Sequence, residues 1–159
     1  MRAPTGRGPV CAFSALTGQR KGLKYDPELL YVGATFQDIG LTGAYRNSPL
    51  RFEVDGANAA RDFLRSYGIP EASVETVWDA IALHTTPGIP EHKKAEVALV
   101  TAGVEMDVLG FAYEQFTQAQ REAVVAAHPR GAGFKKEHHR RLLRGHEASA
   151  RQHFWHGQR

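Results

Sequence analysis

The sequence predicts an all-α domain, and two observations carry that prediction. Apolar residues recur three and four positions apart over several stretches, which is the spacing of one face of a helix. No stretch alternates apolar and polar residues as a half-buried strand does, and no internal repeat is present. At 159 residues, the chain is expected to form one domain with its own core.

Capping residues and glycine or proline stops bound the predicted helices. Asp26 with Pro27 begins one helix, and Thr117 with Gln120 has the pattern of a capping box. Ser73 is predicted to cap a helix that ends before the turn at 86–90. The remaining predicted elements are one or two helical turns at 10–18 and helices at 27–38, 52–67, 92–110 and 118–127. Four aromatic side chains are predicted to lie in the core: Tyr31, Phe36, Phe63 and Trp78.

Composition divides the chain into three parts: an N-terminal segment at 1–19, irregular or a partial helix; a helical domain at 20–135; and a basic, histidine-rich tail at 136–159. The net charge is +5 for residues 1–24, −7 for 25–134 and +5 for 135–159, which sums to the +3 of the whole chain. The body is therefore acidic despite the pI of 9.2. A nucleic-acid groove built into the fold is not expected.

Other features of the sequence indicate the cellular compartment of the protein. No stretch approaches the roughly 20 apolar residues of a membrane helix, and the N-terminus lacks the apolar core of a signal peptide. Cys11 is the single cysteine, so a disulfide framework is excluded. The expectation is a cytoplasmic protein without a membrane partner.

Three predicted helices each bring one polar group into an apolar context. Asp38 ends the apolar run that begins at Leu29, His84 follows Ile81 at helical spacing, and Asp107 shares a face with valines. A buried acid is costly unless its charge is compensated, and a metal ion is a common compensation. The three groups therefore form one candidate site.

The segments 29–41, 51–64, 77–89 and 99–110 together resemble the HD-domain superfamily of metal-dependent hydrolases. Within it, Arg51–Ala57 and Ile81–Thr85 are similar to the cyanamide hydratase-like branch. The resemblance covers roughly residues 20–135 and implies an HD-domain-like bundle of about five to six helices.

The resemblance also implies a metal centre with Fe, Zn, Mn or Mg. Asp38 and Asp107 match metal ligands, Gln37 stands where the family has a histidine, and no histidine precedes His84. Because an amide oxygen replaces imidazole poorly, absence of a metal is the alternative. Asp38 and His84 are the implied catalytic residues, the latter in proton transfer. The alternative for His84 is a core histidine with its hydrogen bonds satisfied.

The implied substrate is a small molecule, either cyanamide- or nitrile-like or a phosphate ester. Arg51, Glu53 and Asp55 are the implied pocket residues, although acids at the start of a helix are favoured by its dipole in any case. Since part of the ligand set is missing, the expected activity is impaired or absent. The alternative function is a non-catalytic binding or interaction module. Apolar surface left uncovered would favour a homodimer.

The tail differs from the rest of the chain, because it holds five of the eight histidines and its apolar residues lose helical spacing. Moving the reading frame by one base at His138 permits an amphipathic helix similar to the C-terminal end of the HD family. A shift across 4–9 would place a histidine before Val10, where that family has its first metal ligand. Two frame lesions or a misread sequence would explain both ends.

Overall fold

The computed structural model describes residues 8–129, and the all-α class is confirmed over that range. The six helices are α1 Pro9–Lys21, α2 Pro27–Phe36, α3 Phe52–Ser66, α4 Glu71–Ala82, α5 Ala95–Val104 and α6 Gln118–Ala127. A π-helical turn at Glu105–Leu109 continues α5, and short 3-10 turns lie at Ile39–Leu41, Gly43–Tyr45, Pro90–His92 and Tyr113–Gln115. The predicted histidine-rich tail and residues 4–7 of the predicted N-terminal frame shift (4–9) lie outside the described residues.

Helix α4 lies at the centre of the bundle, where it packs against α2, α3 and α5. Its Val77 and Ile81 are fully buried in a cluster shared with Ala57 and Leu64 of α3. A second cluster joins α2, α4 and α5, and a third joins α1 to the π-helical turn and α6. Burying each large aliphatic side chain contributes about 1.5–3 kcal/mol, so these clusters hold the helix ends that carry polar groups in place.

Two of the three helix caps predicted from the sequence, Asp26 and Thr117, are confirmed. The Asp26 carboxylate accepts hydrogen bonds from the backbone N–H groups of Glu28 and Leu29, at 2.8 and 3.2 Å. The capping box at α6 is complete, because Thr117 Oγ1 accepts from the Gln120 backbone and Gln120 Oε1 accepts from the Thr117 backbone. Each cap satisfies backbone donors that the helix itself leaves unpaired.

Helix α1 is longer than the one or two turns predicted for the N-terminal segment. It spans 13 residues, crosses the predicted boundary at 19–20, and packs chiefly against α5. Residues 10–15 are all buried, so this helix shows no polar face over nearly two turns. The sequence prediction relied on amphipathic periodicity, which a helix enclosed on most sides does not display.

Two other boundaries differ from the prediction. Helix α4 begins at Glu71 rather than at a Ser73 cap, because the Ser73 N–H already bonds to the Pro70 carbonyl at 2.9 Å. The predicted helix over 92–110 is divided: α5 starts at Ala95, and the π-helical turn after it ends at Gly110 with a φ of +74°. That left-handed conformation suits glycine and stops the helix.

The predicted core position was wrong for Phe63 and Tyr31, whose exposed fractions are 42 % and 38 %. Phe36 and Trp78 are half-buried. Phe63 lies next to the buried Leu64 but at the flank of the buried face of α3, where it contacts the Phe36 ring at 5.3 Å. The spacing of apolar residues locates the buried face of a helix to within about one residue. It therefore does not distinguish an aromatic side chain inside the core from one at the edge of the core.

The connection from α2 to α3 runs against the first two turns of α3. A Cβ atom on Gly40 would lie 2.1 Å from the Phe52 carbonyl oxygen, and one on Gly56 would lie 2.7 Å from the Phe36 carbonyl oxygen. Only glycine permits backbones to approach this closely. Between residues 8 and 129, none of the helices has the length and apolarity needed to cross a membrane.

We predict that Gly40→Ala lowers the free energy of unfolding by about 2 kcal/mol, because the added methyl group meets backbone that cannot rotate away. The matched control is Gly43→Ala, where nothing lies within 4 Å of the new Cβ. The control should change stability by no more than about 0.5 kcal/mol. Urea denaturation of both variants measures the difference, and equal effects would contradict the close approach.

Candidate functional site

Three chain segments meet at one end of the bundle. The segment after α2 carries Gln37 and Asp38, the first turn of α3 carries Glu53, and His84 lies two residues after the end of α4. The Phe52 ring packs edge-on against the His84 ring, with 5.8 Å between the ring centres. The fold thus brings together polar residues that are separated by about 47 positions in the sequence.

Asp38 and His84, both predicted site residues, face each other. His84 is 3 % exposed, and its Nε2 lies 3.8 Å from Asp38 Oδ1. That distance is too long for a hydrogen bond, although it is within the range of an ion pair. His84 Nδ1 lies 2.7 Å from the Ile81 carbonyl oxygen. A carbonyl only accepts, so Nδ1 carries a proton and Nε2 is the atom that faces the acid.

Gln37 lies beside this pair and is 4 % exposed. Its Nε2 approaches Asp38 Oδ2 at 3.5 Å, and its Oε1 is buried without a hydrogen-bond partner. Exchanging the amide oxygen and nitrogen would bring two acceptors together, so the amide is oriented correctly. A buried acceptor without a donor is costly, which marks this position as one that favours an additional donor group.

Glu53 is a buried carboxylate that joins two segments. Arg51 donates to both of its oxygens, at 2.6 and 3.2 Å, and Thr85 Oγ1 donates to Oε1 at 2.5 Å. Burial acts to raise the pKa of Glu53, but the hydrogen bonds from Arg51, Thr85 and the backbone, together with the Arg51 charge, bring it below its ordinary value of 4.5. Because Thr85 directly follows His84, Glu53 fixes the position of the histidine relative to α3.

Asp55, the third predicted pocket residue, is also buried and accepts a hydrogen bond from Ser48 Oγ at 2.8 Å. Burial raises the pKa of Asp55 above its ordinary value of 3.8, although the Ser48 bond acts in the opposite direction. Arg51 is half-exposed, and its guanidinium is directed to Glu53. Arg51 and Glu53 thus support the segment that carries His84, whereas Asp55 holds the loop before α3 through Ser48.

Asp107, the predicted distant metal ligand, lies on the π-helical turn. It lines an open cleft of about 720 Å³ together with Phe13, Met106, Tyr113 and Arg121, among others. Neither Asp38 nor His84 lines that cleft. Within residues 8–129, no group of three or more His, Cys, Asp or Glu side chains is arranged to hold a metal ion. The described residues therefore do not fit the metal centre that the sequence resemblance implies.

Sequence reasoning did not select Ser48 or Thr85 as site residues. The Thr85 hydroxyl bonds to a residue 32 positions away, and such a contact leaves no periodic pattern. One local signal was available for each residue: Thr85 adjoins His84, and Ser48 lies in the turn-rich loop before α3.

Comparison of the chain with protein-family models, with curated proteins and with solved structures gives no match. The function must therefore be inferred from the chemistry of the site residues.

We predict that Glu53→Gln lowers the free energy of unfolding at neutral pH by about 1–3 kcal/mol, because the charged hydrogen bonds to Arg51 and Thr85 are weakened. The stability that the ionised carboxylate contributes is present above pH 4.5 and is lost as the pH falls through the lower pKa of folded Glu53. The difference between wild type and variant should therefore shrink below pH 4.5. Urea denaturation at several pH values measures it, and a difference independent of pH would contradict the assignment.

We predict that the effect of Asp55→Asn on the free energy of unfolding changes with pH in the opposite direction. Because the pKa of Asp55 is raised in the folded state, ionisation disfavours folding as the pH rises above 3.8. The variant keeps an oxygen that accepts from Ser48, so its stability relative to wild type should improve towards neutral pH. A parallel pH dependence in the two variants would show that at least one of the two carboxylates does not titrate as the structure indicates.

Proposed function

We propose that this chain is a non-catalytic binding module with an HD-like helical core, and that Gln37, Asp38 and His84 bind a small polar molecule. The observation that carries the proposal is the contact of the buried His84 with the half-buried Asp38, with the unsatisfied oxygen of the buried Gln37 beside it. The HD-like ancestry is supported by the sequence motifs at 29–41, 51–64, 77–89 and 99–110.

The residue types favour binding over hydrolysis. A metal-dependent hydrolase uses its metal to make a water molecule nucleophilic near neutral pH. Gln37 offers a neutral amide oxygen in place of an imidazole. Asp38 and His84 would supply only two further ligands, which is fewer than such a metal normally requires. The buried support formed by Glu53, Arg51 and Thr85 suits recognition, because it holds the polar groups in one geometry.

A second candidate is an impaired HD-type hydrolase or hydratase acting on a nitrile-like molecule or a phosphate ester. One observation favours it: Asp38 and His84, both implied by the family resemblance, lie 3.8 Å apart. The homodimer and the cytoplasmic location expected from the sequence stay predictions.

Elemental analysis of the purified chain separates the two candidates. We expect wild type to hold much less than one equivalent of Fe, Zn, Mn or Mg. A stoichiometric metal that Asp38→Asn releases would overturn the binding module in favour of the hydrolase. The comparison with Asp38→Asn is needed because five histidines lie beyond residue 129.

Gln37→His tests the ancestry of the site. An imidazole at position 37 should increase the metal content relative to the control Gln19→His, which makes the same change on an exposed surface. Equal metal content in the two variants would count against descent from a metal centre. Thermal unfolding of each variant confirms that the comparison is made on folded protein.

A further inference from the structure

Helix α6 is poorly covered by the part of the chain that the structure describes. Within that part, Val124 is the only buried residue of α6, whereas the neighbouring Val125 is 65 % exposed. A helix of ten residues is marginally stable on its own in water and depends on the packing of an apolar face. Further packing against α6 would therefore stabilise it.

The uncovered side of α6 forms one wall of the open cleft of about 720 Å³. Val125 and Ala126 lie on this wall, and Leu109 of the π-helical turn lies on the opposite one. Leu109 is 62 % exposed. Phe13 and Met106 also line the cleft, and a ring and a thioether are favourable neighbours for a further aromatic side chain.

We propose that residues 130–136 of this chain fold back over the cleft and insert the Phe134 ring between α6 and the π-helical turn. The cleft is not lined by Gln37, Asp38 or His84, so this inference goes beyond the proposed function and does not depend on it.

The path of the chain leads from α6 back to the cleft. The described residues end at Pro129, three positions after Ala126. Gly131 and Gly133 permit a reversal of direction, because glycine adopts the left-handed conformations that tight turns use. Phe134 is the first large apolar residue beyond α6, and five residues span at most about 17 Å. That length is enough to reach a cleft with Ala126 in its wall.

The charges of the segment and of the cleft are complementary. Residues 130–136 have a net charge of +3, from three basic side chains and no acidic one: Arg130, Lys135 and Lys136. Asp107 and Glu122 line the cleft together with Arg121, which gives a sum of −1. A segment that is joined directly to α6 also has a high effective concentration at the cleft, which favours it over a second copy or a separate partner.

Disulfide formation in the full-length chain measures where the segment lies. One double variant combines Leu109→Cys, in the cleft wall, with Lys135→Cys, on the residue that follows Phe134. The matched control combines Lys135→Cys with Ile89→Cys, because Ile89 is 48 % exposed but does not line the cleft. The buried Cys11 is kept in every variant. After oxidation at low protein concentration, non-reducing electrophoresis separates a cross-link within one chain from a cross-link between two chains.

We expect the cross-link within one chain to form at least about 10-fold faster for the Leu109→Cys pair than for the Ile89→Cys pair, because a disulfide requires close Cα atoms. Adding Phe134→Ser should reduce the faster rate to that of the control. Equal rates for the two pairs, or a rate that Phe134→Ser does not change, would overturn the inference. A cross-link that forms mainly between two chains would also overturn it, since a second copy would then occupy the cleft.

A double-mutant cycle tests the same contact without introduced thiols. Phe134→Ser and Val125→Ser should each lower Tm by about 2–4 °C, and the double variant should lose less than the sum, because both substitutions remove one shared contact. Serine is used because its helix propensity is close to that of valine. Phe111→Ser is the control, since Phe111 is 57 % exposed and does not line the cleft, and its effect should add to that of Phe134→Ser. Additive losses for Phe134→Ser and Val125→Ser would contradict the contact.

Discussion

The site depends on the close approach of the segment after α2 to the first two turns of α3. Gly40 and Gly56 permit that approach, since a side chain at either position would meet backbone carbonyl atoms. Gln37 and Asp38 lie three and two residues before Gly40 and have little freedom to move away. Because the contact is made by backbone, it does not vary with side-chain rotamers. The packing of the helices therefore positions the polar groups independently of the polar contacts among them.

Glu53 extends this constraint to α4. A carboxylate that is 1 % exposed is stable only when its charge is compensated, and here Arg51 and Thr85 provide the donors. Arg51 is half-exposed, so solvent screens part of the ion pair, whereas the Thr85 bond lies deeper and crosses between two elements. The buried Glu53 carboxylate thus helps to fix the position of the segment that carries His84.

The sequence could predict what local chemistry determines. The caps at Asp26 and Thr117 and the glycine stops depend on neighbours within four residues, and they agree with the structure to within two positions. The full length of α1 and the exposure of Phe63 depend on packing between helices, which no local pattern reveals. The same distinction between local chemistry and packing holds at the site. The structure places Asp38 near His84. Asp107 instead lies on a π-helical turn, which shifts the register of the side chains that follow.

The amide at position 37 determines which ligands this end of the bundle favours. An imidazole offers a nitrogen lone pair to a metal ion, whereas an amide offers a neutral oxygen acceptor and N–H donors. Gln37 uses that N–H group towards Asp38 and leaves the oxygen without a donor. The acidic side chains Asp38, Glu53 and Asp55 outnumber the single Arg51 at this end of the bundle. Because the buried Gln37 oxygen lacks a donor, this end of the bundle favours a ligand that donates hydrogen bonds over one that only accepts them.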